Sequence, residues 1–234
     1  MRVLAIGAHP DDIEISCSGT LAKCVKRGDE VYACHLSDGD LGHVEIMPEK
    51  LGKIRVEEAK RASGVGGVKA IWGGFHDLDI YADNSEARKR VAEIIRGIDP
   101  DFIITHNPDD YMSDHTATSK LVFDAAFAAT IPHYPSERKT LARLVPIYYM
   151  ESSSGMDFVP ELFVDITDEM ETKKKMFNCH ESQIVWLKDH DNVDYVEKLE
   201  IVARYRGYQC GVRYAEGFKV CKVDGRMSTR ILLP

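Results

Sequence analysis

Leu4-Ala5-Ile6-Gly7-Ala8-His9-Pro10-Asp11-Asp12 is a short apolar run that stops abruptly at a histidine, a proline and two adjacent carboxylates. A continuous apolar run of this length suits a parallel strand buried on both faces. Ligands of open α/β sheets gather just past the carboxyl ends of such strands. His9, Asp11 and Asp12 therefore stand where chemistry is expected.

Outward from this strand the pattern alternates. Residues 13–27 carry apolar and small side chains at helical spacing, closed by Gly28. Residues 30–36 read as a second strand, followed by the loop Ser37-Asp38-Gly39-Asp40-Leu41-Gly42-His43. A charged amphipathic helix is expected over 49–63, a third strand over 69–72 and a helix over 85–97. Residues 102–105 form another apolar strand ending at His106, followed by a polar loop to Asp114 and an alanine-rich helix over 115–130. Beyond Pro132 the rhythm changes, with strands expected over 146–151, 163–166, 214–220 and 229–233 and helices over 168–178 and 195–206. The expected class is α/β: a Rossmann-like, mostly parallel sheet flanked by helices, with C-terminal strand and helix additions. No low-complexity linker or internal repeat divides the chain, so 1–234 reads as a single domain.

With 234 residues and 44% hydrophobic content, the chain can bury a sizeable core. Its formal charge of −8, with no basic block, argues against nucleic acid or an anionic membrane as partner. No signal-like or membrane-length apolar run is present, so the cytoplasm is the expected compartment. The six cysteines, scattered and without a Cys-x-x-Cys pair, suit reduced, packed thiols.

A divalent ion of the zinc type accepts imidazole and carboxylate, and a hydrolytic site leaves a position open for water. His9 and Asp12 lie across one turn and can face one ion, leaving Asp11 beside them as a base. Asp114-His115, at another strand end, is the best placed source of a third ligand. Asp114 is also placed to orient an imidazole. The same four residues at 9–12 equally suit a simple turn and helix cap, because proline and aspartate are ordinary at helix starts.

These motifs resemble the PIG-L or LmbE-like de-N-acetylase family. Ala8-His9-Pro10-Asp11-Asp12 and Asp114-His115 carry the resemblance, supported by Ser37-Asp38-Gly39, Arg55-Val56-Glu57-Glu58-Ala59, His180-Glu181-Ser182-Gln183 and Tyr214-Ala215-Glu216-Gly217-Phe218. The resemblance implies one Zn2+ per chain, or another divalent metal, held by His9, Asp12 and His115, with Asp11 as general base. It implies a small amino-sugar substrate of the N-acetylglucosamine type, contacted by Arg55, Asp38 and His180, and a homo-oligomer. One position departs from the family pattern. Relatives carry His-Pro-Asp-His, whose first histidine helps polarise the acyl carbonyl; here the segment is Met112-Ser113-Asp114-His115. A thioether supplies no proton, and loss of one oxyanion donor costs on the order of a hundredfold in turnover. Tyr111, His43, His106 and His180 are candidate substitutes, and Tyr111 is nearest in sequence.

Two other functions fit parts of the chain. A catalytically weakened, metal- and sugar-binding member of the fold is favoured by Met112. A nucleotide enzyme is disfavoured because the first strand lacks a Gly-x-Gly-x-x-Gly turn. Plain structural readings also stand: Arg55 paired with Glu58 on a helix face, Lys173 to Lys175 as a solvated face, and Tyr205 and Tyr208 as packing residues. Specificity is expected from the loops over 38–48, 77–84 and 131–143.

Overall fold

The computed structural model describes residues 1–152 and 154–234. Five parallel strands come first: β1 (Arg2–Gly7), β2 (Glu30–Ser37), β3 (Lys69–Phe75), β4 (Phe102–His106) and β5 (Ile147–Met150). Two more, β6 (Leu162–Asp165) and β7 (Ala215–Val220), extend the same sheet. Its order is β3-β2-β1-β4-β5-β7-β6, with β7 antiparallel to both β5 and β6. The helices are α1 (Asp12–Ser16), α2 (Ser18–Lys26), α3 (Pro48–Val65), α4 (Ser85–Ile98), α5 (Ser113–Ala128), α6 (Met170–Phe177), α7 (Glu181–Asp191) and α8 (Tyr195–Cys210). No helix among the described residues is long and apolar enough to cross a membrane.

The sheet separates two cores. Val3, Ala5, Phe102 and Ile104 face one, whereas Leu4, Ile6 and Ile103 face the other, the alternation that strand geometry imposes. The strand order turns around between β1 and β4, which pair through Val3–Phe102 to Ile6–Thr105. A crevice opens where neighbouring connections leave in opposite directions, and that switch point is where ligands of such sheets bind.

Five details differ from the reading of the sequence. The expected helix over 13–27 is two helices broken at Cys17, which has φ −146°. The reason is a side chain far along the chain: the Glu216 carboxylate accepts the Gly19 and Thr20 amides at 2.9 and 2.7 Å and so restarts α2. Lys173 is not solvated; it is buried, with Nζ 2.5 Å from Glu216 and 2.7 Å from the Ile15 carbonyl. Tyr205 and Tyr208 are 57% and 88% exposed, so they do not pack in the core. Residues 229–233 form no strand; the Leu232 amide instead donates to the Tyr148 hydroxyl and Leu233 seals the core. Helix α7, which has no clear apolar periodicity in the sequence, covers one side of the switch-point crevice.

Candidate metal centre

The chain leaves β1 through Ala8 and turns sharply at Asp11, which adopts φ +111°. A left-handed conformation at a residue other than glycine costs on the order of 1–3 kcal/mol and survives only where the surroundings enforce it. Arg55 is the enforcing group. Its Nη2 donates to the Pro10 carbonyl at 2.7 Å and to Asp11 Oδ2 at 3.2 Å, and its Nη1 donates to the Gly39 carbonyl at 2.8 Å. Arg55 is thus buried in the cleft wall and bound to Asp11, and Glu58 turns instead to the Ser182 amide and hydroxyl. The Arg55–Glu58 pair on a helix face does not form.

Asp12 begins α1 and sits among three imidazoles. Its Oδ2 accepts the His9 amide at 2.7 Å and lies 3.4 Å from His9 Nδ1; its Oδ1 is 3.2 Å from His115 Nε2. The far nitrogen of each ring is held from outside. His9 Nε2 faces Asp77 Oδ1 at 3.1 Å and Asp114 Oδ2 at 3.2 Å, and His115 Nδ1 faces Asp110 Oδ1 at 3.0 Å. When the rings are neutral, these carboxylates favour the proton on His9 Nε2 and His115 Nδ1, which leaves His9 Nδ1 and His115 Nε2 as lone-pair donors toward Asp12. His115 Nε2 is buried without a hydrogen-bond partner. His106 is different: its Nε2 accepts the Ala8 amide at 3.0 Å, and its ring stacks on His115 at 3.9 Å and 14°.

The carboxylates favour positive charge on the His9 and His115 rings, the charge that a bound cation would supply in place of their second protons. Burial opposes protonation of His9, yet Asp114, Asp12 and Asp77 raise its pKa well above the ordinary value. Burial also works against charge on His115, but Asp12 and Asp110 push it up to about 9. Burial, then His115, holds His106 down at about 4, so it stays neutral. Burial alone would raise Asp12; the His115 and His106 rings bring it well below the carboxylate range. Buried carboxylates crowd this pocket, and positive charge is what they attract. A divalent cation fits the donor set: two neutral imidazoles and a carboxylate whose ligand atoms lie within 4.8 Å of one another. Two overlapping groups, His106-Asp110-His115 and His9-Asp77-Asp114, meet the same distance limit. They fit less well, because the Ala8 amide occupies His106 Nε2, and the Asp77 and Asp114 oxygens face the protonated nitrogen of His9.

The cleft above this centre encloses about 180 Å³. Asp11, Tyr111 and Met112 line it along with His9, Asp12 and His115, and the opposite wall includes Gly42, Gln183, Leu187 and Tyr195. Burial raises the Asp11 pKa, partly offset by Arg55. The Tyr111 ring meets His115 edge-on at 5.8 Å and is largely exposed. Asp114 orients His9 rather than its neighbour His115, and also accepts the Leu78 amide at 2.9 Å.

Two residues expected at the substrate lie elsewhere. Asp38 borders a separate cavity, where its Oδ2 is 3.1 Å from His76 Nδ1. His180 is fully buried, 3.4 Å from Glu14 Oε2, an oxygen that also lies 3.2 Å from His35 Nε2. Of the three loops expected to set specificity, 38–48 and 77–84 reach the cleft through Gly42 and Asp77. None of 131–143 does among the described residues. Asp110 and the tethering role of Asp77 escaped the sequence reading; the usable signal was the polar loop following His106.

Comparison with known proteins places this geometry in context. The diacetylchitobiose deacetylase of Thermococcus kodakarensis is 32% identical, over 93% of this chain and 82% of its own length. The structure of the N,N'-diacetylchitobiose deacetylase from Pyrococcus horikoshii superposes with a TM-score of 0.81 at 27% identity, covering 94% of this chain and 83% of that one. The 4-carboxy-2-hydroxymuconate hydratase from Pseudomonas putida shares the fold, with a TM-score of 0.83 at 23% identity over 98% of this chain and 99% of its own. Residues 4–126, which run from β1 through the His115 helix, match the family described as PIG-L, GlcNAc-PI de-N-acetylase. With that match and the Thermococcus relative, the chain belongs to the PIG-L de-N-acetylase family.

Proposed function

We propose that this protein hydrolyses the N-acetyl group of an N-acetylglucosamine-type amino sugar or its conjugate, releasing acetate and the free amine. The observation that carries this reading is the pair of imidazoles, tethered by Asp114 and Asp110, whose free nitrogens converge on Asp12 beside Asp11. We assign Zn2+, one per chain, to His9, Asp12 and His115; the donor set accepts other divalent ions as well. Such an ion polarises an acyl oxygen and lowers the pKa of water.

The remaining work falls to the chain. Asp11 accepts the proton of the attacking water and passes it to the departing amine as the C–N bond breaks. The Arg55 hydrogen bond fixes its direction. Asp110 and Asp114 hold the ligand tautomers. Tyr111 is assigned to the acyl-oxygen side in place of the methionine at 112, because its phenol can donate a hydrogen bond. Arg55 acts on the sugar through Asp11 and the Gly39 loop. We further propose that 1–234 works as one domain in a cytoplasmic homo-oligomer; the scattered spacing of the six cysteines supports the compartment and the family resemblance the assembly.

Acetate release from a panel of N-acetylated amino sugars, with zinc-loaded and chelator-treated protein, tests this function. Release by the loaded protein alone supports it. Sugar binding without acetate release on any compound favours the second reading, a weakened member of the fold, for which Met112 at the cleft wall speaks.

A further inference from the structure

Strands β2 and β3 end side by side, and the loops after them bring a second histidine–carboxylate group together outside the cleft. His76 Nδ1 lies 3.1 Å from Asp38 Oδ2 and 3.4 Å from Asp40 Oδ2. One ligand atom from each of the three lies within 4.8 Å of the others, the limit that the cleft set also meets. Helix α3 closes on the pair of carboxylates through a glycine: a Cβ at Gly52 would stand 2.9 Å from Asp38 Oδ2 and 3.2 Å from the Asp40 Cβ.

This group differs from an ordinary surface ion pair. Asp38 is 7% exposed, and its Oδ1 is buried without a hydrogen-bond partner. A buried carboxylate oxygen left unpaired is costly, and a bound cation satisfies it. Burial, then the neighbouring Asp40, pushes the Asp38 pKa up, a pressure that a cation relieves. The group opens on a cavity of about 360 Å³ whose walls are acidic: Glu49 and Glu57 join Asp38 and Asp40 in lining it, and Lys53 pairs with Glu49 at 3.0 Å. Asp40 is held from behind, because its Oδ1 accepts the Asp77 amide at 3.1 Å, which leaves Oδ2 toward His76. Asp77 in turn tethers His9.

We propose that Asp38, Asp40 and His76 hold a second divalent cation of the first-row transition type, outside the cleft and joined to it through Asp77. Two carboxylates and one imidazole suit zinc, cobalt or manganese, whereas calcium and magnesium prefer oxygen alone. The ion takes the place of a proton between Nδ1 and the two carboxylates, and the open cavity admits water to its remaining positions.

The test dialyses the full chain against Zn2+ and measures its metal content. His76→Gln, at a side chain 65% exposed, should hold one ion fewer than wild type, and Asp38→Asn should match it. An equal count in variant and wild type overturns the site. If the cleft takes no zinc, both counts fall together and the difference between them still decides. Trp72 lines the same cavity, and Trp186→Phe leaves it as the chain's single tryptophan. Cobalt added to that variant after one equivalent of Zn2+ should quench Trp72 in a saturable way, and excess zinc should restore the emission. Adding His76→Gln should move the midpoint to at least about tenfold higher cobalt. No quench, or the same midpoint with and without His76, overturns the proposal.

Discussion

The five-residue helix α1 carries two carboxylates, and each heads a cluster of histidines. Asp12 faces the cleft with His9, His106 and His115, and Glu14 faces His35 and His180 in the interior. The residue types are the same and the outcomes differ. In the cleft, Asp77, Asp110 and Asp114 stand behind the rings, fix their protons outward and leave free nitrogens pointing in. In the interior no such outer carboxylate is seen among the described ion pairs; one glutamate serves two rings and exposure is at most 3%. A histidine–carboxylate cluster becomes a cation site through the groups behind it and an open approach, rather than through its composition.

That contrast can be broken at three points. Asp11→Asn should lower kcat by about 10²–10⁴ while metal content stays at the wild-type level, read by acetate release and metal analysis. Retained turnover removes Asp11 as the base. Glu14→Gln should leave metal content intact and reduce stability by about 3 kcal/mol in urea unfolding, because two buried rings lose the carboxylate they share. Loss of metal with unchanged stability would merge the two clusters into one. Asp110→Asn should weaken metal affinity by about 10–100-fold in chelator competition, since His115 loses the partner that sets its tautomer. Unchanged affinity would put the source of the tautomer elsewhere.

The legible part of the site was its local part. His9, Asp11 and Asp12 share one turn, and Asp114-His115 marks another strand end, so sequence neighbours announced them. Asp77 meets His9, and Asp38 leaves the cleft for His76, only through the way β2 and β3 end side by side. The parallel sheet was equally readable from apolar runs, because strands buried on both faces have no other composition. Lys173 was misread because its partner, Glu216, lies on β7; a lysine flanked by lysines looks solvated until a distant carboxylate takes one of them inside. The same Glu216 breaks the first helix at Cys17, so one residue accounts for two of the differences. Helix α7 was missed because it lies across the cleft with polar residues on several sides, and tertiary contacts rather than an apolar stripe define it.

The interior cluster also predicts a pH dependence with a definite sign. Burial alone would lower the His180 pKa, but Glu14 and then Asp11 raise it above its ordinary value. An unfolded imidazole titrates near about 6.5, so the folded chain binds this proton more tightly. The stabilisation is complete below about pH 6.5 and is lost as pH rises through the folded value. Glu14 works the other way: burial would raise it, yet His35 and His180 depress it, so its contribution holds above about pH 4.3 and fades in acid. The cluster therefore stabilises most between about pH 4.5 and 6.5. The difference in melting temperature between wild type and His180→Gln, measured on metal-loaded protein, should shrink from about pH 6 to pH 9. A gap that is constant or widens would mean that His180 is neutral in the fold. Metal loading matters to this measurement, because a bound cation keeps its imidazole ligands unprotonated and leaves the remaining slope to the interior cluster.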